Sequence, residues 1–128
     1  MKPRGATGFT LIELLVVLSI MALLTALAAP RYFGALERGK EQALATSLGV
    51  MREAIDRFAA DKGRYPASLE ELTQARYIRA VPEDPITGRR DTWVILPPPR
   101  DADMGDGVAD VRSGAPGQSS HGTRFAEW

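Results

Sequence analysis

The sequence predicts an α+β fold in which one long N-terminal α-helix, with a transmembrane half and an amphipathic half, precedes a small antiparallel β-sheet head. Three observations support this fold class. All but four of the 21 residues from Phe9 to Ala29 are apolar, as in a continuous apolar helix. Apolar residues then recur at helical spacing as far as Phe58. Two short segments rich in β-branched residues follow after Gly63.

Composition and charge exclude several classes of function. The chain has 128 residues, 16 Lys plus Arg, 16 Asp plus Glu and no cysteine. It therefore contains no disulfide, no thiolate metal site and no cysteine nucleophile. Because the charges balance, the chain has no bulk attraction for nucleic acid, and we expect no nucleic-acid partner.

The first predicted element, residues 9–29, is a transmembrane helix. At about 1.5 Å per residue it would be roughly 30 Å long, which is the thickness of the hydrocarbon core of a bilayer. Neither Gly nor Pro interrupts the run, and Pro30 follows it directly, where its ring would bend the chain. Glu13 is the one ionisable residue within the run.

Glu13 needs an explanation because a carboxylate in hydrocarbon costs on the order of 2.5–3.5 kcal/mol at the centre of an inserted helix, and less near its end. It could be tolerated because it lies near the membrane interface. Alternatively, it could bind a cationic partner once the helix leaves lipid and packs against other helices. Its position alone favours neither interpretation.

Residues 1–8 have the composition of a leader peptide. They carry Lys2 and Arg4 but no acidic residue. An ordinary secretory signal is cleaved after its apolar core, whereas the candidate site here, Gly8, lies before the core. The run G-F-T-L-I-E, from Gly8 to Glu13, resembles the prepilin leader junction of type IV pilins and type II secretion pseudopilins.

This resemblance implies how the N-terminus is processed. A prepilin peptidase on the cytoplasmic side would cut after Gly8 and methylate the new terminal amine of Phe9. Glu13 would then be the fifth residue of the mature chain, where the family has its glutamate. The resemblance also implies an inner-membrane protein that crosses once, with a cytoplasmic N-terminus and a periplasmic head. The positive-inside rule does not decide the orientation, since basic residues lie on both sides of the span.

Residues 30–62 are predicted to continue the helix as an amphipathic stem. One stripe of apolar residues recurs at intervals of three or four: Leu44, Leu48, Met51, Ile55 and Phe58. We interpret this stripe as the face that packs against the head rather than as a partner-binding groove. Charged residues, including Glu41 and Arg52, are assigned to the other faces. The whole helix would be roughly 80 Å long, and it would bend most easily between Pro30 and Gly39.

Residues 63–128 form the predicted head, which starts where Gly63 ends the stem helix. Ser68 and Glu71 have the spacing of a capping box that would start a short helix with Leu69 and Leu72. Pro82 and Pro85 bracket a predicted turn around Glu83-Asp84.

Three motifs of the head resemble the major pseudopilin of type II secretion. They are the pair Tyr65-Pro66, the pair Tyr77-Ile78 and the Pro-x-Asp-Pro turn from Pro82 to Pro85. These motifs distinguish that subfamily from pilins in general.

Two β-strands are predicted, Thr92–Leu96 and Val108–Arg112, and three prolines stop the first of them. We expect an antiparallel sheet of two to four strands on the amphipathic face of the stem. The tail is rich in Gly and Ser but ends with Phe125 and Trp128, which we expect to dock it on the head.

One loop carries four aspartates, Asp101, Asp103, Asp106 and Asp110, and such a density of carboxylates could hold calcium. The spacing is not that of an EF-hand, since Arg112 stands where the last ligand would be glutamate. The resemblance implies a calcium site in a C-terminal loop, but its glycine-rich acidic signature is not clearly present. We therefore favour a solvated acidic turn and expect no required cofactor.

Catalytic chemistry is not expected. His121 is the one histidine, and it stands beside Ser119 and Ser120, but no G-x-S-x-G elbow and no phosphate-binding loop accompany it. We predict that His121 is an exposed loop residue and that the protein is not an enzyme.

The resemblance implies a structural subunit of a periplasmic pseudopilus that drives protein export through a type II secretion system. Its implied partners are further copies of itself in a helical homopolymer, minor pseudopilins, the prepilin peptidase, an inner-membrane assembly platform and, before assembly, membrane lipid. In the filament Glu13 would pair with the terminal ammonium of Phe9 on a neighbouring subunit.

Two alternatives come from other classes. A type IV pilin of a surface pilus, acting in adhesion or DNA uptake, would share the leader and the stem. The lack of a cysteine pair and the Pro82–Pro85 turn favour the pseudopilin. A signal-anchored periplasmic interaction module would need neither Glu13 nor cleavage after Gly8.

Overall fold

A computed structural model describes Gly5 and residues 8–128. Most of the predicted leader, including Lys2 and Arg4, lies outside the described residues. The elements follow in the order α1 (Leu11–Lys62), α2 (Leu69–Gln74), β1 (Trp93–Leu96), β2 (Asp110–Ser113) and a 3₁₀ turn (Phe125–Glu127). This order confirms the predicted α+β fold, with a long N-terminal helix followed by a small antiparallel sheet.

The chain divides into two compact units, one ending at Leu36 and the other beginning at Glu37. In the first unit α1 is helical on both sides of Pro30, so the proline lies within the helix. Among the described residues, α1 is the one helix long and apolar enough to cross a membrane. The hydroxyl groups of Ser19 and Thr25 donate to main-chain oxygens four residues earlier, each at 2.7 Å, so neither needs a partner from lipid.

The second unit has one hydrophobic core, built on the predicted stripe of α1. None of the five stripe residues from Leu44 to Phe58 is more than 2% exposed. They pack against residues from every other element of the head, including Leu72, Trp93, Val108, Val111 and Phe125. The stripe is therefore the core face of the stem, as predicted.

α1 ends where predicted. Gly63 has the left-handed φ of +68°, and its N–H donates to Ala59 O at 2.9 Å.

The predicted capping box at the start of α2 forms one of its two hydrogen bonds. Ser68 Oγ accepts from Glu71 N at 3.3 Å, but the Glu71 carboxylate accepts from Ala67 N at 2.6 Å rather than from Ser68. The Arg64 guanidinium, 2.6 Å away, and the Ala67 N–H lower the pKa of Glu71 to about 2.

β1 and β2 pair antiparallel from Trp93↔Ser113 to Leu96↔Asp110, giving a sheet of two strands. The predicted start of the second strand at Val108 is wrong. Val108 is 1% exposed, and its N–H donates to Pro66 O at 2.8 Å. That N–H is used outside the sheet, and the first hydrogen bond to β1 comes from the next residue, where Ala109 N donates to Leu96 O at 2.9 Å directly before the first strand pair at Asp110.

Gly114 follows β2 at a position with no room for a side chain, because a Cβ atom there would collide with the backbone carbonyl oxygen of Thr92. We expect Gly114→Ala to destabilise the fold by about 1–3 kcal/mol, measured by urea denaturation of the full chain in detergent. Gly49→Ala is the matched control, since nothing lies within 4 Å of that position on α1. It should be neutral or stabilising by up to about 1 kcal/mol. Equal losses in both variants would contradict the steric explanation.

The C-terminal aromatic residues dock on the head as predicted. Phe125 is 5% exposed, and its ring meets that of Trp128 edge to face at a centroid distance of 5.7 Å. The main-chain oxygen of Trp128 also accepts from the guanidinium of Arg52 at 2.8 Å. The tail is therefore fixed by apolar packing and by a hydrogen bond to α1.

Candidate functional site

The predicted processing and assembly residues lie at the start of the first unit. Phe9 is 82% exposed, and Glu13 is exposed in the first turn of α1. Both side chains line one concave apolar face, together with Ile12, Val16 and Val17, and the concavity has a volume of about 460 Å³. The structure therefore brings Phe9 and Glu13 onto the same face, while Gly8 precedes the helix.

The local sequence explains why the helix begins here. Thr10 occupies the N-cap position, and its hydroxyl accepts from Glu13 N at 3.2 Å. An acidic residue at the third helical position is favourable because the N–H groups of the first turn carry partial positive charge. The Thr-x-x-Glu spacing could have indicated this helix start, but the sequence analysis did not consider it. Glu13 therefore stabilises the N-terminus of α1, although its carboxylate forms no ion pair with any described residue.

The Pro82–Pro85 motif is organised by Asp84, which is fully buried. One carboxylate oxygen accepts from Ile86 N at 2.8 Å and from Thr87 N at 3.3 Å. The other accepts from Ser113 Oγ at 2.6 Å. The turn therefore follows Asp84, at residues 85–88, rather than centring on Glu83-Asp84 as predicted. Asp84 joins this turn to the end of β2.

Glu41 is a buried carboxylate that the sequence analysis missed. It is 7% exposed, and it accepts from Ser120 N at 2.5 Å and from Ser120 Oγ at 2.8 Å. The hydrogen bond from Ser120 N has the largest effect on Glu41 and holds its pKa below the usual value. The bond from Ser120 Oγ and the charges of His121 and Arg38 also lower this pKa.

The assignment of Glu41 to a face other than the stripe is therefore wrong. Glu41 precedes Leu44 by three residues, so it extends the buried stripe by one turn. The loop that covers it is closed by a hydrogen bond from Ser119 N to Thr123 O at 2.8 Å. The spacing could have indicated the burial of Glu41, but the loop that satisfies its charge comes from a distant part of the chain.

Arg52 lies outside the stripe, as predicted, but its side chain is only 39% exposed. Its guanidinium donates to Asp110 Oδ1 at 2.8 Å, to Val111 O at 2.9 Å and to Trp128 O at 2.8 Å. One side chain of α1 thus holds both β2 and the C-terminal segment.

The aspartate-rich loop is not assembled into a metal site. Asp110 is paired with Arg52, while Asp101, Asp103 and Asp106 are exposed. Within Gly5 and residues 8–128, no three acidic or histidine side chains converge as metal ligands would. His121 is exposed, as predicted, and its backbone N–H donates to Ser119 Oγ at 3.3 Å.

Comparison with known proteins gives a family match for the N-terminal residues. The family described as "Prokaryotic N-terminal methylation motif" matches residues 3–29, which include Gly8, Phe9, Glu13 and the apolar half of α1. No solved structure matches the chain.

Similar curated proteins extend the match into the head. The type II secretion system core protein G of Vibrio cholerae is 30% identical over 99 residues, covering 66% of this chain and 68% of that protein. The protein of the same name from Klebsiella michiganensis is 29% identical over 104 residues, covering 69% of this chain and 73% of its own. The fimbrial protein EcpC of Eikenella corrodens is 37% identical over 79 residues, covering 58% of this chain and 52% of that protein. The chain belongs to the family of type II secretion system core protein G.

Proposed function

We propose that this chain is the structural subunit of a periplasmic pseudopilus that drives protein export through a type II secretion system. The observation that carries this proposal is the concave apolar face on which Phe9 and Glu13 lie together at the start of a membrane-length helix. A filament subunit requires that combination, since its helix must be soluble in lipid first and pair with other helices later.

Before assembly, the subunit spans the inner membrane once, with its N-terminus in the cytoplasm and its head in the periplasm. The apolar half of α1 supports the membrane span because its large side chains are exposed, from Val17 at 45% to Phe9 at 82%, and the orientation follows from the resemblance of the Gly8–Glu13 junction to prepilins. Lipid surrounds this surface first, and identical helices cover it in the filament.

In the filament, the Glu13 carboxylate pairs with the terminal ammonium of Phe9 from a neighbouring subunit. The shared face supports this pairing because it places the carboxylate and the new terminus on the same side of the helix, about one turn apart. Leaving one member of a buried pair without its partner costs about 3–5 kcal/mol, so the pair fixes the register of adjacent helices. Contacts of this heterologous kind do not close, and they generate a helical polymer.

The proposed role is structural rather than enzymatic. Its partners are the prepilin peptidase, which cuts after Gly8 and methylates Phe9, then minor pseudopilins and an inner-membrane assembly platform. The names of the relatives support such a role, since several are called core proteins of a secretion system.

Deletion and complementation test the function. A strain lacking this chain should retain the normal secretion substrates in its periplasm, and the intact chain should restore their export. The second candidate is a type IV pilin, favoured by the similarity to a fimbrial protein. Loss of surface pili with normal export in the deletion strain would establish that candidate and reject the pseudopilus.

Gly8→Val should block processing, because a branched side chain at the cleavage position obstructs the peptidase while the apolar helix is unchanged. Mass spectrometry of the membrane fraction should then detect the whole precursor, whereas the parent chain should begin at methylated Phe9. Gly5→Val, in the same leader, is the matched control and should be processed normally. An intact Met1 terminus on the parent chain in cells that contain the peptidase would reject the processing proposal.

We also propose that no metal is needed to fold the head, because side chains hold its C-terminal loops. Glu41 fixes the loop around Ser120, and Arg52 fixes Asp110. EDTA is therefore expected to leave the thermal midpoint of the full chain in detergent unchanged, and added calcium should not raise it. Glu41→Gln should lower the midpoint, because a neutral amide replaces the charged acceptor.

The control for this comparison is Glu53→Gln, which changes the same charge at an exposed position of α1. The lowered pKa of Glu41 fixes the pH dependence. The carboxylate stabilises the head above its unfolded pKa, and this contribution is lost as the pH falls through the folded value. A midpoint that EDTA lowers and calcium restores would show that a metal holds the loop instead.

A further inference from the structure

The end of the apolar run in the first unit has a surface with a basic residue, Arg31, that the filament role does not explain. A concave face with a volume of about 470 Å³ is lined by Leu24, Leu27, Ala28 and Arg31. Their spacing of three or four residues places them on one side of the helix. This groove is lined by three apolar residues and by one guanidinium, that of Arg31.

The position of Arg31 along the helix matches the phosphate level of a bilayer. From Phe9 to Arg31 the helix rises roughly 33 Å, slightly more than the hydrocarbon thickness of about 30 Å. Arg31 therefore lies just outside the hydrocarbon, whereas Leu24, Leu27 and Ala28 lie within it.

Two aromatic residues mark the same level. Tyr32 is 65% exposed and Phe33 is 61% exposed, and their rings meet edge to face at a centroid distance of 5.7 Å. Exposed aromatic side chains at this depth are typical of the membrane interface. They support a fixed depth for Arg31 in the membrane.

The charge of Arg31 is not balanced within its unit. Among the described residues of the first unit, Arg31 is the one basic residue and Glu13 the one acidic residue. They are 18 positions apart, or about 27 Å along the helix, so they do not pair. A planar guanidinium at the headgroup level binds phosphate oxygens through parallel N–H groups.

We infer that this face, the Arg31 groove, binds one anionic phospholipid of the outer leaflet. The phosphate lies on Arg31, and an acyl chain lies along Leu24, Leu27 and Ala28. The inference rests on the proposed function in taking residues 9–29 as the membrane span. It adds a headgroup contact that must break when the subunit leaves the membrane, so lipid charge would influence the ease of extraction.

Native mass spectrometry of the full chain tests this site, in micelles that contain equal amounts of phosphatidylglycerol and phosphatidylcholine. The parent chain should retain one phosphatidylglycerol with a preference of about fivefold, as expected for one cationic side chain at a membrane surface. Arg31→Gln should remove the preference. Arg31→Lys should keep part of it, because it retains the charge without the planar fork. Arg79→Gln, which makes the same change in the head, should have no effect.

Equal retention of the two lipids by the parent, or an unchanged preference in Arg31→Gln, would overturn the inference. A lipid-free dimer that Arg31→Gln dissociates would assign the groove to a second copy of the chain, which also overturns it. Extraction of the parent chain from vesicles at alkaline pH separates the two proposals. Release from the vesicles would reject the membrane span itself, whereas stable insertion without lipid preference would reject only the Arg31 groove.

Discussion

Glu13→Leu is expected to leave the chain in the membrane but to abolish filament formation. Insertion improves because the variant no longer carries a carboxylate into lipid, a change worth up to about 2.5–3.5 kcal/mol. Assembly fails because each terminal ammonium of Phe9 then enters the filament without its partner. That loss is about 3–5 kcal/mol for each buried pair, and it recurs at every subunit added.

The measurement compares alkaline extraction with sedimentation of sheared filaments from the same cells. Glu13→Gln separates charge from shape, since the amide keeps the volume and the N-terminal position on α1 but removes the charge. It should assemble nearly as poorly as Glu13→Leu. Glu37→Leu is the matched control, because it removes a glutamate from α1 beyond the apolar run, and it should still assemble. Normal filaments from Glu13→Leu would show that the carboxylate is merely tolerated near the membrane interface.

Asp84→Ala is expected to have the largest effect on the stability of the head. The substitution removes the acceptor of three hydrogen bonds, from Ile86 N, Thr87 N and Ser113 Oγ. The serine hydroxyl is fully buried, so it cannot recover a bond to water. Hydrogen bonds to charged groups contribute about 1.5–3 kcal/mol each, but the three share one carboxylate and are not additive, so we expect a total loss of about 3–5 kcal/mol.

Urea denaturation of the full chain, followed by the fluorescence of its two tryptophans, measures this loss. Asp84→Asn should lose less, about 1–2 kcal/mol, because one amide oxygen can still accept from the turn. Asp103→Ala is the control, since Asp103 is an exposed aspartate of the aspartate-rich loop, and it should be neutral. Similar losses for Asp84→Ala and Asp103→Ala would mean that the Pro82–Pro85 motif does not depend on its buried carboxylate.

The elements that depend on residues close to them in the sequence could be predicted from the sequence alone. The ends of α1 and α2 depend on residues close to them, such as Gly63 and Ser68. The stripe from Leu44 to Phe58 depends only on the helical period. The start of β2 could not be predicted, because the N–H of Val108 is used by Pro66, a residue far away in the sequence.

The same distinction applies to the charged residues. Glu41 has the spacing of a buried residue but the chemistry of an exposed one, and its partner Ser120 lies 79 positions away. Arg52 has partners as distant as Trp128. A periodic pattern assigns such residues to a face, but only the path of the chain shows whether a distant loop covers that face. The candidate assembly residues, Phe9 and Glu13, both lie within one local motif, so the sequence alone is enough to propose them.

The hydrogen bonds that Arg52 makes with Val111 and Trp128 have a consequence for the biogenesis of the subunit. They join residues that are 59 and 76 positions apart in the sequence, and pairings of such high sequence separation are slow to form. These contacts can form only after the region around Trp128 has been synthesised. The stem of a nascent chain is therefore made well before the contacts that close the head over it.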